Sequence, residues 1–200
     1  MMRLRVALAA LSVAVGLAAG CSTPPPSRFY TLAATATATA TSTSQPSTLV
    51  IAVGPVTVPS VVDRPEFVVS TGPNEVRLDD FNRWASPLQD SLTRAVAENL
   101  VAILGTPRVV RFPQTLATEP DYRVAIEVRT FESTPGKSTV LDAVWTVRRA
   151  KDGRTQTGRT SARETVTESG YEALAAAHSR AAARVSQDIA SATLALQSAP

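Results

Sequence analysis

The stretch YRVAIEVRTF, residues 122–131, constrains the fold most. Tyr122, Val124, Ile126 and Val128 alternate with Arg123, Glu127 and Arg129. Side chains of a strand project to opposite faces with a period of two, so this segment is a strand with one dry and one wet face. Residues 138–149 repeat the pattern with Leu141, Ala143, Trp145 and Val147 on one side. Lys151-Asp152-Gly153-Arg154 then supplies a tight hairpin turn. Residues 155–167 follow as a polar, Thr-rich strand suited to a sheet edge. A sheet that is apolar on one side needs a cover, and the chain has two segments able to provide it.

The first covering segment starts near Ser86. Ser86 and Gln89 form an S-x-x-Q capping box with Pro87 at the first helical position. Leu88, Leu92, Val96, Leu100 and Ile103 make one apolar stripe, and Gly105 ends the helix. The second runs from about Tyr171 to Leu196, with Leu174, His178, Ala181, Val185, Ile189, Ala192 and Leu196 on its stripe. Other strands are expected at 49–58 (LVIAVGPVTV) and 106–112, with a hairpin of 65–71 and 74–78 around Gly72-Pro73. DDFNRWA, 79–85, reads as a turn of helix bending at Pro87. The expected fold class is α+β, a single mixed or antiparallel sheet with two main helices packed on one face.

The N-terminus carries an address. Arg3 and Arg5 precede an apolar or small run from Val6 to Ala19, interrupted only by Ser12. That is the layout of a secretory signal peptide, too short to span a membrane comfortably. Gly20 and Cys21 close it in the manner of a bacterial lipobox, with Ala18 where Leu, Val or Ile is usual. Cys21 is therefore the expected lipidation site, carrying three acyl chains that hold the protein at a membrane. Ser22, unlike an Asp there, permits sorting to the outer membrane. The division expected is a signal peptide at 1–20, a lipidated N-terminus and Ala/Thr-rich linker at 21–47, and a globular domain at 48–200. Residues 33–48 number 16, a flexible chain spanning about 20–24 Å on average. Phe29, Tyr30 and Leu32 are the first residues able to pack.

Charge and chemistry narrow the function. Removing Arg3 and Arg5 from the 20 basic residues leaves 18 against 17 acidic ones, so nothing marks a nucleic-acid binder. His178 is the single histidine and lies on an apolar helix stripe, where packing is the usual role. Ser179 beside it points elsewhere, since adjacent helical residues do not face one another. Metal ligation needs several convergent ligands, and Asp79-Asp80 or Glu164 and Glu168 suit solvated or helix-terminal roles better. There is no phosphate-binding glycine loop. No cofactor, metal or catalytic residue is expected.

Several segments occur in a suggestive order: FYTL at 29–32, VGPVTVP at 53–59, DRP at 63–65 and RWASPL at 83–88. Behind a lipobox, this succession resembles the ABC-type transport auxiliary lipoproteins, the PqiC/YmbA family. The resemblance implies a non-enzymatic component of an MCE-type lipid transport system, anchored in the outer membrane, facing the periplasm and docking on an MCE-domain protein. A matching homo-oligomeric ring is also implied, because MCE assemblies are ring-like. Arg64 and Arg83 are the partner-binding candidates, Arg being enriched in binding hot spots; Trp84 reads as a core anchor. The alternative from another class of envelope complex is a lipoprotein activator of a peptidoglycan synthase.

Overall fold

The computed structural model describes residues 25–37, 48–113 and 119–198. The expected signal peptide at 1–20, the expected lipidation site Cys21 and much of the Ala/Thr run lie outside these residues. Among the described residues eight strands and two helices follow in the order β1 (Arg28–Tyr30), β2 (Ile51–Thr57), β3 (Glu66–Gly72), β4 (Glu75–Trp84), α1 (Leu88–Leu104), β5 (Val109–Arg111), β6 (Tyr122–Thr134), β7 (Ser138–Arg149), β8 (Thr155–Thr165) and α2 (Tyr171–Ser198).

There are two sheets, which corrects the expectation of one. The larger has the order β5-β2-β6-β7-β8 and the smaller β1-β4-β3. In the larger sheet β2 runs parallel to both β5 and β6, while β6, β7 and β8 form an antiparallel meander. In the smaller sheet β3 and β4 are a hairpin, and β1 joins β4 in parallel. Alternation reports which face of a strand is dry. It carries no information on which backbone edges meet, so the split between sheets was not readable from it.

The alternation in β6 is realised: Tyr122, Val124, Ile126 and Val128 are buried, and Arg123, Glu127 and Arg129 are exposed. α1 packs against β2, α2 against β7 and β8, and the helices touch each other. Their buried faces include Leu92, Val96 and Leu100 from α1, and Leu174, Val185 and Ile189 from α2. β8 forms one edge of the larger sheet.

Two local expectations change. DDFNRWA is strand rather than helix. The Asp79 carboxylate accepts the backbone N–H groups of Phe81 (3.0 Å) and Asn82 (2.9 Å). Pairing then steps from Phe67↔Asp79 to Glu66↔Arg83, and residues 80–82 form a bulge. The capping box is not formed either: Pro87 takes the N-cap position without a side-chain cap bond. Ser86 Oγ turns instead to Ser91 Oγ at 2.8 Å. Gly105 closes α1 as expected, in the left-handed conformation at φ 62°, its N–H bonded to the Val101 carbonyl at 3.1 Å.

The segment after β1 is held by polar bonds. Leu32 is fully buried, and Arg94 donates to its carbonyl at 2.8 Å. The Ala33 N–H donates to Ser179 Oγ at 3.0 Å. Asn99 Oδ1 accepts the N–H groups of Thr35 (3.0 Å) and Ala36 (2.9 Å). The small uncharged side chains here bury little, as composition implies; side chains of α1 and α2 capture the backbone instead. Residues 28–36 thus belong to the folded unit, ahead of the 48–200 boundary drawn from composition.

Within the larger sheet, Trp145 lies across Gly158 of β8. A Cβ on Gly158 would sit 2.3 Å from the Trp145 Cζ2 atom. The indole cannot easily withdraw, because its N–H donates to Thr160 Oγ1 at 2.9 Å inside the core. Gly158→Ala is expected to cost about 2 kcal/mol through overpacking. Urea unfolding checks this; a variant as stable as the parent would show that the ring has room to move.

Candidate functional site

Three of the four segments quoted from the sequence, FYTL, DRP and RWASPL, converge at the small sheet. Pairing sets Phe29 against Arg83 and Tyr30 against Trp84, so FYTL and RWASPL, far apart in sequence, are neighbours. The Trp84 N–H donates to the Pro65 carbonyl at 2.8 Å, which brings in DRP. The Ala85 N–H donates to the Tyr30 carbonyl at 2.8 Å. Each motif supplies backbone bonds to the next.

Under this junction lies an aromatic cluster. Phe67 stacks on Trp84 with centroids 4.4 Å apart, and meets Tyr30 edge-on at 5.9 Å and Tyr171 at 5.1 Å. Trp84 is buried, as expected of a core anchor. The Tyr171 hydroxyl donates to Asp79 Oδ2 at 2.6 Å and so ties the start of α2 to β4. Burial, then the Asp79 bond, pushes the Tyr171 phenol up to about 12. Burial works against the Asp79 charge, but its bonds from Tyr171, Asn82 and Phe81 outweigh this and hold the carboxyl below its ordinary range. Asp79 is a structural acceptor within β4.

The two arginine candidates have different surroundings. Arg83 Nη2 pairs with Glu66 Oε1 at 3.1 Å across β3 and β4, with the guanidinium still partly exposed. Arg64 lies half-buried in the turn before β3. Its Nε is buried without a hydrogen-bond partner, and it makes no ion pair among the described residues. Glu66, the counter-ion of Arg83, was not singled out from the sequence, because its register opposite Arg83 depends on the bulge at 80–82. VGPV serves the larger sheet. Gly54 has φ 123°, and a Cβ there would lie 3.1 Å from Phe112 Cβ, so glycine lets the chain before β6 pass close to β2. Cys21 lies outside the described residues.

Other polar residues are engaged in structure. His178 is fully buried, stacks on Phe131 at 3.7 Å between centroids, and bonds Ser133 Oγ through Nε2 at 2.8 Å. Its Nδ1 has no partner. Burial pushes the imidazole down to about 3, so it is neutral at ordinary pH. Glu164 is bound by Arg180 and Arg184, each at 3.0 Å, fastening β8 to α2. Among the described residues no group of three or more His, Cys, Asp or Glu side chains could hold a metal ion. No described helix is long and apolar enough to cross a membrane.

A crystal structure titled as an uncharacterized protein superposes with a TM-score of 0.67 at 20% identity, over 84% of this chain and 98% of that one. Protein XCC0632 from Xanthomonas campestris gives 0.64 at 20% identity, over 81% and 92% of the two chains. These likenesses show a shared fold. No curated protein matches the chain. The family described as "ABC-type transport auxiliary lipoprotein component" matches residues 30–190, from the second residue of FYTL into α2. That span takes in β3, β4, the aromatic cluster and both arginine candidates, and the chain belongs to the ABC-type transport auxiliary lipoproteins.

Proposed function

We propose that the protein is an outer-membrane-anchored periplasmic adaptor of an MCE-type lipid transport system, held by lipid on Cys21 and docking on an MCE-domain protein without catalysing a reaction. The observation that carries the reading is the family match over 30–190. A binding role is supported by the state of the one histidine, which is sealed from solvent and kept neutral. The reading also draws on tether length. β1 begins at Arg28, so seven residues, 21–27, join the anchor to the fold. A spacer this short suits a domain working close to its membrane more than one reaching through peptidoglycan.

Docking is assigned to Arg64 and Arg83. An acidic side chain on the partner would pair with the charge of the half-buried Arg64 and compete with Glu66 for Arg83. Arg83→Glu is a poor test, since it would set two carboxylates opposite one another in the hairpin. The double variant Arg64→Gln/Arg83→Gln keeps the shape and removes both charges. It is expected to remain folded and membrane-associated, and to recover the MCE protein at least about tenfold less in periplasmic crosslinking, the loss of one hot spot. Undiminished recovery would remove these two residues from the docking surface.

A further inference from the structure

Eight large apolar side chains are exposed among the described residues, and five of them lie on or beside the small sheet: Phe29, Val61, Val76, Leu78 and Phe81. The register places most of them together. Phe29 is level with Arg83, Arg83 with Glu66, and Leu78 and Val76 with Val68 and Ser70. Glu66, Val68 and Ser70 are two apart along β3, so all of these share one face. The opposite face carries Phe67, Val69 and Trp84 into the core, and on the outer face Val68 is itself buried, so the exposed apolar residues of that face are those of β1 and β4. Phe81 sits in the adjoining bulge, and Val61 in the turn leading to β3. Within the outer face Arg83 and Glu66 neutralise each other, and the exposed Asp80 borders the cluster beside Phe81. A clustered exposed apolar face of this kind marks an interaction surface.

Chain length selects its occupant. From Cys21 to Arg28 the chain advances seven residues, at most about 25 Å even when fully extended. A folded unit of this size has a radius of gyration of about 15 Å, and is therefore about 40 Å across. The tether is shorter than the domain, so only the side bearing β1 can meet the membrane holding the anchor. β1 runs parallel to β4 with Arg28 level with Asn82. The chain therefore enters from the side of β4 that carries Phe81, Leu78 and Val76, toward the hairpin end. We infer that the turn end of the outer face lies on the lipid bilayer, with Leu78 and Val76 seated among headgroups and upper acyl chains, while the Arg83–Glu66 pair at the other end of the hairpin stays free for a protein partner. This rests on the lipid anchor at Cys21 proposed above. It gives the domain a fixed orientation, which a flexible tether alone would not.

The test uses the full lipidated chain. Lipidation converts the Cys21 thiol to a thioether, so one introduced cysteine can carry an environment-sensitive fluorophore. Leu78→Cys reports the small-sheet face and Thr157→Cys, exposed on the larger sheet, is the comparison. Both are reconstituted in phosphatidylethanolamine–phosphatidylglycerol vesicles with and without brominated acyl chains. Brominated lipid is expected to quench the label at 78 several-fold more than the label at 157, and Val76→Cys should repeat the result if Leu78→Cys fails to fold. Equal quenching at the two positions overturns the inference. So does a label at 78 that is shielded from aqueous iodide yet untouched by brominated lipid, because a protein or a second copy then covers the face. Mass spectrometry of the same samples separates the two readings. A lipidated but unquenched protein sinks the bilayer contact alone, whereas an unlipidated Cys21 sinks the anchor and the contact with it.

Discussion

Phe67→Ala is expected to destabilise the domain by about 4 kcal/mol, in the range for deleting a fully buried aromatic ring. Phe67 has no exposed surface. It touches Tyr30 of β1, Trp84 of β4 and Tyr171 of α2, and so joins all strands of the small sheet to the helix beneath. Alanine removes the apolar area, leaves a cavity bounded by three rings, and ends aromatic contacts worth about 0.5–1.5 kcal/mol each. Partial collapse of Trp84 or Tyr171 into the space would also disturb the Tyr171–Asp79 bond. Phe29→Ala provides the contrast. Phe29 is 64% exposed, and its truncation should change stability by less than about 0.5 kcal/mol. Urea unfolding of both variants decides the point. A loss below about 1 kcal/mol for Phe67→Ala would mean that the small sheet is held to the domain by other contacts.

Mild acid is expected to weaken the fold through His178. Burial lowers its folded pKa to about 3 from an ordinary value of 6.5. The unfolded chain therefore binds the proton that the folded chain refuses. The neutral imidazole contributes its full stability above pH 6.5, and that contribution is lost as pH falls toward 3. Each pH unit within this window is worth about 1.4 kcal/mol, so about 2 kcal/mol should be lost between pH 7 and pH 5. The low-lying Asp79 and Asp142 carboxyls act below the ordinary carboxylate value of 3.8, outside that interval. Protonation has no local remedy. Ser133 is the one hydrogen-bond partner, and Nδ1 lies buried without an acceptor. His178→Gln should be less stable at pH 7 and nearly flat in stability from pH 7 to pH 5. An unchanged slope in that variant would show that another group causes the acid loss.

The sequence carried the secondary structure well where one periodicity ran uninterrupted. β6, β7 and β8, both helices, the Gly105 stop and the hairpin around Gly72-Pro73 follow from alternation, stripes and turn residues. It failed where the backbone obeyed a long-range partner. Asp79-Asp80 looked like acids ahead of a helix, but the Asp79 carboxylate captures two N–H groups and builds a bulge within a strand. RFY is three residues long, too short to announce itself; it becomes β1 because β4 offers a free edge. The Ala/Thr composition after it correctly implied little burial. It could not reveal that Asn99 and Ser179, each over sixty residues downstream, hold the backbone there.

The candidate site divides in the same way. Trp84 as an anchor was legible because a large aromatic before a helix has few other uses. Arg83 was legible as a residue type, whereas its pairing with Glu66 was not, since opposite strands meet only after the bulge sets the register. By itself the sequence determined the alternating strands, the two covering helices and the presence of a single thiol, Cys21. The strands and helices follow from local chemistry: hydrophobic periodicity and turn residues. Tertiary structure alone decided that the strands form two sheets, that residues 28–30 are a strand, and that five exposed apolar side chains lie on or beside the small sheet. Edge pairing is made by backbone groups identical in every residue, so only the assembled chain selects it.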